Sequence, residues 1–258
     1  MPLNADQNAR VLDQFSRQAG PYADLVNRSG SPLTSPLIET VQPSPMDRVL
    51  DVGCGSGRLA VALASLAAHV TGVDLTPAML EQARGLQAQA GAPNINWLEA
   101  DSTALPVADG AFDLVVSQAM FHHAADPAAT LAEMYRACAP GGRIAVNDLT
   151  PAPGKACAFD AIELLRDPSH QRALTTPELC ALGSRLGLTE IVVHPHQAEL
   201  PIEAVLATSF PPPGMLEHVR DLYGRDAATG SDAFGMGTRL KDGAIWVTYS
   251  MTVVVWRR

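Results

Sequence analysis

Three glycines and an aspartate are closely spaced in the segment VLDVGCGSG, residues 49–57. The aspartate is Asp51, and the glycines are Gly53, Gly55 and Gly57. The segment begins with a short apolar run, as is typical of a buried parallel strand. Glycine allows the backbone to approach a ligand closely, and open α/β sheets bind ligands at the carboxyl ends of their strands. The segment therefore predicts a cofactor-binding loop.

The spacing in this loop discriminates between two classes of cofactor. A dinucleotide fingerprint, G-x-G-x-x-G/A, requires a small residue at position 58 so that helix and strand can pack closely. That residue is Arg58. An acid at position 51 also suits a ligand with an ammonium group and a sulfonium better than one with a pyrophosphate. A nucleotide-cofactor oxidoreductase is therefore kept only as the alternative enzyme class.

Polar residues also end the next three predicted strands. Asp74 ends the second strand, Asp101 and Ser102 end the third, and Gln118 ends the fourth. Because the carboxyl ends of parallel strands lie at one edge of a sheet, we expect these side chains beside the glycine loop.

The elements that must position these residues alternate between strand and helix over residues 48–148. This alternation predicts an α/β fold with a doubly wound, mostly parallel, seven-stranded sheet. A predicted amphipathic helix occupies the first twenty residues and ends near Gly20-Pro21, and a Pro/Ser-rich connector follows it. The segment LTEIVVHP predicts a sixth strand, residues 200–243 an irregular lid insertion with two short helices, and the final β-rich run a seventh strand.

The chain length of 258 residues fits one large α/β domain. We expect a single domain over residues 1–258. An amino-terminal helical cap is expected over 1–45, a cofactor-binding core over 46–150, and an acceptor-side half with the lid insertion over 151–258.

The glycine loop and the strand-end residues resemble those of the class I S-adenosylmethionine (SAM) dependent methyltransferases, closely so over residues 49–148. The resemblance implies a Rossmann-like fold, SAM as the cofactor and S-adenosylhomocysteine (SAH) as the product. It further implies that Asp74 bridges the ribose hydroxyls, that Asp101 and Ser102 contact adenine, and that an amino-terminal helix closes over the cofactor. The implied cofactor-binding residues are Asp51, Gly53, Gly55, Gly57, Asp74, Leu75, Met79, Asp101, Ser102, Gln118 and Tyr22.

Two further segments are similar to the branch that includes ubiquinone- and menaquinone-biosynthesis-type methyltransferases. These segments are FHH at 121–123, followed by Asp126-Pro127, and RDPSH at 166–170. The branch implies methyl transfer to a small organic acceptor in cofactor or secondary-metabolite biosynthesis, at a carbon, nitrogen or oxygen atom. A non-catalytic SAM-binding module is the second alternative.

Histidines and aromatic residues are the candidates for the acceptor side. His123 is the predicted general base, because a reference pKa near 6.5 suits proton transfer at neutral pH. Adjacent residues cannot share a helical face, so only one of His122 and His123 is expected to face the acceptor. His170 follows a turn-forming Asp-Pro-Ser segment and is also explained as a structural residue. The predicted acceptor contacts are Phe15, His122, His170, Phe210 and Met215.

Composition restricts the partners. The sequence contains 18 Lys and Arg residues and 27 Asp and Glu residues, which gives a net charge of −9. This negative charge argues against nucleic-acid partners and against a tRNA or protein substrate. The four cysteines lack C-x-x-C spacing, and His194 and His196 read as solvated residues without further ligands, so we expect no metal site. We expect a cytoplasmic protein without membrane insertion, and a homodimer is left open.

Overall fold

The computed structural model describes the backbone of residues 4–29 and 34–258, and the side chains of residues 5–20 and 34–258. In this part of the chain the strands form one sheet in the order β3-β2-β1-β4-β5-β8-β6, with β7 paired to β8. Strands β1 to β5 are parallel to one another, and β8 runs antiparallel to β5 and β6. The strands are β1 (Arg48–Val52), β2 (His69–Asp74), β3 (Ile95–Glu99), β4 (Phe112–Gln118), β5 (Cys138–Leu149), β6 (Thr189–Pro201), β7 (Arg239–Lys241) and β8 (Ala244–Arg257).

Helices cover both faces of this sheet. Their first turns carry recognisable start signals: Pro77 follows the N-cap Thr76 in α4, the Asp126 side chain accepts the Ala129 N–H in α5, and Thr175 and Glu178 form a capping box in α7. The helices are α1 (Asn4–Ser29), α2 (Thr34–Val41), α3 (Arg58–Ala64), α4 (Pro77–Ala90), α5 (Pro127–Ala137), α6 (Ala156–Arg166), α7 (Thr176–Arg185), α8 (Ile202–Leu206) and α9 (Met215–Thr229), with a 3₁₀ turn at Phe121–His123.

Three apolar clusters make up the core. One lies between the sheet and α5 and α7, and includes Leu131 and Trp256. A second lies on the opposite face under α2 and α3, and includes Leu37 and Leu63. The third, which includes Tyr223, joins α6, α8 and α9 to the carboxyl part of the chain. Apolar packing on both faces of a mostly parallel sheet is the doubly wound arrangement that the sequence predicts.

The chain order of the strands reverses between β1 and β4. β1 pairs with β2 on one side and with β4 on the other, so the connections leaving β1 and β4 run to opposite sides. Such a switch point opens a crevice outside the carboxyl ends of the strands, where ligands bind in open α/β sheets. The glycine loop follows β1 at this place, so the fold positions it as the sequence predicts.

Two predictions about the first fifty residues are wrong. Helix α1 does not end near Gly20-Pro21 but continues to Ser29. A proline inside a helix removes one backbone hydrogen bond, but this loss does not end α1, which packs against α4. The connector also contains α2, in which Pro36 fits the first turn and Leu37 and Val41 bury one face.

The insertion over 200–243 is more regular than predicted. It holds α8, the fifteen-residue helix α9 and the additional short strand β7, so the sheet of the described residues has eight strands instead of seven. β6 also continues to Pro201, beyond the predicted LTEIVVHP. The hairpin between β7 and β8 turns at Asp242-Gly243, with φ of +53° and +77°. An Asp-Gly pair is a type I′ turn signal that the sequence already contained.

Within the described residues, no helix combines the length and the apolar character that crossing a bilayer requires.

Candidate active site

The glycine loop is tied to the end of β2 and leaves its middle open. The N–H groups of Gly53 and Cys54 donate to the Val73 carbonyl at 2.8 and 2.9 Å, and the Gly55 N–H donates to Asp74 Oδ2 at 2.8 Å. Gly55 has a φ of +52°, and a Cβ atom built there would meet nothing within 4 Å. The loop therefore presents bare backbone to open space, as a cofactor cradle requires.

Gly57 serves helix packing instead. Its φ is +80°, and a Cβ atom there would lie 2.6 Å from the Trp97 ring and 2.7 Å from Ala83. A side chain at position 57 would separate α3 from β3 and α4. The close helix contact that a dinucleotide fingerprint places at position 58 is thus made at position 57, and Arg58 begins α3.

Asp74 is oriented by backbone donors. Its Oδ1 accepts the Thr76 N–H and its Oδ2 accepts the Gly55 N–H, both at 2.8 Å. Burial raises the pKa of this carboxyl although these hydrogen bonds oppose the shift. Each oxygen retains a lone pair for a ligand hydroxyl. Of the two residues grouped with it, Leu75 is half-buried and Met79 is fully buried in α4.

The Asp51 side chain is buried and has one carboxyl oxygen without a hydrogen-bond partner among the described residues. The residue is 1 % exposed, and this oxygen is Oδ2. Burial and the nearby charge of Asp74 raise its pKa to about 8. A buried carboxylate without a counter-charge is costly, so this position favours a ligand that brings a positive charge.

Two amide side chains also leave buried atoms without partners among the described residues. These atoms are Oε1 of Gln118, at the end of β4, and Nε2 of Gln14, on α1. Gln118 was identified from the sequence, whereas Gln14 was not. The signal for Gln14 was its helical spacing: Gln7 and Gln14 lie seven residues apart, so they share the buried face of an amphipathic helix.

Asp101 and Ser102 hold the loop after β3 and its contact with α1. Asp101 Oδ1 accepts the Thr103 N–H and hydroxyl, both at 2.8 Å, and Oδ2 accepts the Asn8 amide at 2.6 Å. These hydrogen bonds lower the pKa of Asp101 although burial opposes them. Ser102 Oγ lies 3.0 Å from the Thr130 hydroxyl. Both side chains thus have structural partners besides their predicted adenine contacts.

Helix α1 spans the carboxyl edge from Asp101 to the histidines. Gln7 Nε2 donates to the carbonyls of His123, at 2.9 Å, and Ser169, at 2.6 Å, and the Gln171 amide donates to Gln7 Oε1. The Phe15 ring meets the His123 ring edge-on, with centroids 4.9 Å apart. The predicted residue Tyr22 belongs to α1, but its side chain lies outside the described residues.

His122 forms a buried ion pair with Asp148. Its Nδ1–H donates to Asp148 Oδ1 at 2.6 Å, while Asp148 Oδ2 accepts the N–H groups of Met120 and Phe121 at 2.8 and 2.7 Å. Burial alone would lower the pKa of His122, but the charge and hydrogen bond of Asp148 raise it, and the pKa of Asp148 is lowered in return. Asp148 therefore holds the His122 ring in place.

His123 is held as a neutral ring. Burial and the charge of His122 lower its pKa to about 3. Its Nδ1 lies 3.1 Å from the Ser169 carbonyl oxygen and 3.2 Å from Ser169 Oγ. A neutral imidazole carries one unprotonated nitrogen, which a general base requires.

The structure brings His170 beside the other two histidines. Its ring centroid lies 5.7 Å from that of His122 and 6.4 Å from that of His123. Its Nε2 contacts Asp160 Oδ1 at 2.8 Å, and its Nδ1 is buried without a partner among the described residues. The sequence did not identify Asp160 or Asp148, because no local spacing links them to their histidines.

Phe210 and Met215 lie farther along this side of the molecule. Met215 packs on the third apolar cluster, whose member Phe159 meets His170 with ring centroids 6.3 Å apart. Phe210 is half-buried and follows Ser209, whose hydroxyl accepts from Arg166 at 3.3 Å. Their contact with the same acceptor as His123 stays a prediction.

The interpretation of His196 as a solvated residue is wrong. Its Nε2 lies 2.9 Å from Asn147 Oδ1 in the sheet, and burial together with His194 lowers its pKa. His194 Nδ1 lies 3.1 Å from the Thr40 hydroxyl of α2, an element that the sequence did not predict. In the residues the structure describes, no group of three His, Cys, Asp or Glu side chains is arranged as metal ligands.

The sequence and the fold are similar to those of known proteins. The family model described as "Methyltransferase domain" matches residues 50–146. The uncharacterised methyltransferase YcgJ of Bacillus subtilis is 31% identical over 173 residues, which cover 66% of this chain and 68% of that protein. A demethylmenaquinone methyltransferase of Thermus thermophilus is 44% identical over 108 residues, 41% of this chain and 49% of that protein.

A solved structure of the YcgJ protein has the same fold. The two superpose with a TM-score of 0.78, at 21% identity, over 87% of this chain and 97% of that chain. The chain spans about half the length of the first curated relatives that it matches.

Proposed function

This chain belongs to the class I SAM-dependent methyltransferases, and from that membership we propose that it transfers the methyl group of SAM to a small organic acceptor and releases SAH. The observation that carries the proposal is the unpartnered carboxylate oxygen of Asp51 beside an open glycine loop. SAM carries an ammonium group and a sulfonium, and both favour the ionised forms of the Asp51 and Asp74 carboxyl groups. A pyrophosphate would be repelled by them, which argues against the oxidoreductase alternative.

The proposed cofactor-binding set keeps the residues that the sequence identified and adds one from helix α1. Asp74 supplies acceptors for the ribose hydroxyls, and Gln118 and Gln14 supply a buried acceptor and a buried donor for the remaining polar groups. The full set is Asp51, Gly53, Gly55, Gly57, Asp74, Leu75, Met79, Asp101, Ser102, Gln118, Tyr22 and Gln14.

When bound, SAM supplies an electrophilic methyl group whose bond to sulfur breaks with the electron pair left on sulfur. The chain must then hold the accepting atom in line with that bond, and positioning of this kind is worth up to about 7–11 kcal/mol of a barrier. For an O–H, N–H or acidic C–H acceptor we assign the proton to His123. Its low pKa keeps the ring neutral, so the lone pair that accepts the proton is present at neutral pH, but it also makes the ring a weaker base than the reference pKa near 6.5 would. Proton transfer to His123 therefore depends on Asp167, whose charge stabilises the imidazolium.

The proposed acceptor pocket lies between α1, the turn at Phe121–His123 and the insertion over 200–243. Phe15 and His123 are in contact there, and His170 connects them to the apolar cluster that Met215 contacts. We propose Phe15, His122, His170, Phe210 and Met215 as the acceptor contacts, and residues 151–258 as the acceptor-side half of a single domain. Their mixture of rings and apolar surface fits a small organic molecule of cofactor or secondary metabolism.

The test is calorimetric titration of the purified protein with SAH and, separately, with NADH. We expect SAH to bind at one site per chain and NADH to give no heat of binding. Asp74→Ala should weaken SAH binding by about 1.5–3 kcal/mol, because the ribose hydroxyls lose a charged acceptor. The matched control is Asp13→Ala, which removes an acid from the exposed side of α1, where it pairs with Arg17.

Three results would contradict the proposal in different ways. Binding of NADH without SAH would favour the oxidoreductase. A SAH complex with no cavity beside the sulfur would favour a non-catalytic SAM-binding module. Transfer of radiolabelled methyl groups to tRNA or protein, with none to an extract of small molecules, would exclude a small acceptor.

A further inference from the structure

The hydrogen bonds around His123 form a chain whose direction is determined at each step. Asp167 Oδ1 accepts both the Ser169 N–H, at 2.9 Å, and the Ser169 hydroxyl proton, at 2.5 Å. A serine hydroxyl has one proton, so Ser169 Oγ has none left to give to His123. The second group facing His123 Nδ1 is the Ser169 carbonyl oxygen, which only accepts. His123 Nδ1 must therefore carry the ring proton.

From this direction we infer that Asp167 and Ser169 are positioning residues that fix His123 as its Nδ1–H tautomer and leave the lone pair on Nε2. Both residues are buried, and Ser169 has no exposed surface. Gln7 of α1 donates to the carbonyls of both His123 and Ser169, which holds the two segments in register. Use of this tautomer as a base rests on the proposed function, whereas the tautomer itself does not.

Burial and the charge of His122 favour a neutral His123, whereas the charge of Asp167 opposes them. The groups that face it are His122, paired with Asp148 of β5, His170, which contacts Asp160 of α6, and Asp167. Among the described side chains of α1, the uncharged Gln7 and Phe15 contact this residue. Burial opposes ionisation of Asp167, but its interaction with His123, the charge of Arg166 and the two hydrogen bonds from Ser169 lower its pKa, so it stays an acceptor. A negative Asp167 also stabilises the imidazolium that forms when His123 takes up a proton.

Nitrogen NMR of the side chains tests this assignment without knowledge of the acceptor. The protein has seven histidines, and His123→Asn identifies the signals of His123 after ¹⁵N-histidine labelling. At pH 7, with SAH added, we expect the two ring nitrogens of His123 to report a single neutral Nδ1–H form. If His123→Asn does not fold, backbone-to-side-chain correlation spectra of the wild-type protein assign the same signals. An Nε2–H form or a doubly protonated ring of His123 would overturn the inference.

Two substitutions of Asp167 make the test specific. Asp167→Ala frees the Ser169 hydroxyl proton and opens the turn, so the ring nitrogens of His123 should move towards a common shift as the tautomers exchange. Asp167→Asn keeps an acceptor oxygen at the same place, so the Nδ1–H form should persist. Unchanged His123 signals in a folded Asp167→Ala protein would contradict the inference.

Asp160→Ala is the matched control. It removes a second acid from beside a histidine, but that acid contacts His170 and not His123. It should alter the signals of His170 and leave those of His123 in place. If Asp160→Ala changes the tautomer of His123 as strongly as Asp167→Ala does, the effect is general loosening and the inference fails. Absence of SAH binding in the wild-type protein would count against the proposed function alone.

Discussion

The glycine-loop edge and the histidine cluster of residues 121–123, 148 and 160–170 both bury carboxylates, but with opposite consequences. At the loop, Asp51 has an oxygen without a partner in the described residues and a pKa raised to about 8. In the cluster, Asp148 and Asp167 each accept several hydrogen bonds, and their pKa values are lowered. The difference shows that burial alone does not determine the role of an acid. The unsatisfied acid is available for a ligand, and the satisfied acids hold other residues in place.

Asp148→Asn should give the largest effect, because it removes one member of the buried ion pair in the histidine cluster. The change leaves the charge of buried His122 without its partner, and loss of one member of a buried pair costs about 3–5 kcal/mol of the free energy of unfolding. Urea denaturation at pH 7 measures this loss. The control is Asp113→Asn, which breaks a surface pair with Arg48 worth about 0–1 kcal/mol. Equal losses in the two variants would mean that the cluster does not stabilise the fold.

Asp51→Asn should act in the opposite way. We expect SAH binding to weaken by about 1.5–3 kcal/mol, because the amide does not offer a charged acceptor to an ammonium group. The ligand-free variant should nevertheless unfold at a higher temperature than the wild-type protein at pH 8, since it no longer buries an ionisable acid without a partner. Thermal unfolding with and without SAH measures both effects. A ligand-free variant that is less stable than the wild-type protein would show that Asp51 is a structural residue.

The pH dependence of SAH binding should follow the ionisation of Asp51. The folded, ligand-free pKa of about 8 lies above the reference value of 3.8, so the acid is mostly protonated at pH 7, and the wild-type protein loses stability as the pH rises from about 4 to 8. A cationic group of the ligand favours the carboxylate, so binding below pH 8 should release a proton, and affinity should fall by up to about tenfold for each pH unit below 8. Calorimetry in two buffers with different ionisation enthalpies counts the protons. Asp51→Asn should abolish this release, and a release that persists in the variant must come from another group.

Asn8→Ala should give the smallest effect. It removes a single hydrogen bond, the one by which Asn8 of α1 binds Asp101. Loss of this hydrogen bond should weaken SAH binding by about 1 kcal/mol. Asp13→Ala, on the exposed side of the same helix, should leave the affinity unchanged. A larger loss for Asn8→Ala than for Asp51→Asn would indicate that closure of α1, and not the glycine loop, dominates cofactor binding.

The sequence determined the geometry of the glycine-loop edge because its requirements are local. A backbone with positive φ at Gly53, Gly55 and Gly57 is available to few residues other than glycine, and an acid at a strand end follows directly from the run that forms the strand. β4 was predicted with its observed bounds, Phe112–Gln118, because its apolar run is also a local signal. Failures occurred where tertiary packing decided the outcome, as in α2, which forms because Leu37 and Val41 are covered by the rest of the core.

The partners in the histidine cluster were decided by the tertiary structure. His122 and Asp148 lie 26 residues apart, and His123 and Ser169 lie 46 apart, and no periodicity relates them. The sequence identified His123 as a candidate because histidine exchanges protons near neutral pH, and His122 and His170 because they lie in the segments FHH and RDPSH. Which of them is charged, which is neutral and which nitrogen carries the proton depends on the partners that the fold brings within hydrogen-bond distance. Burial makes those partners obligatory, because water is not there to replace them.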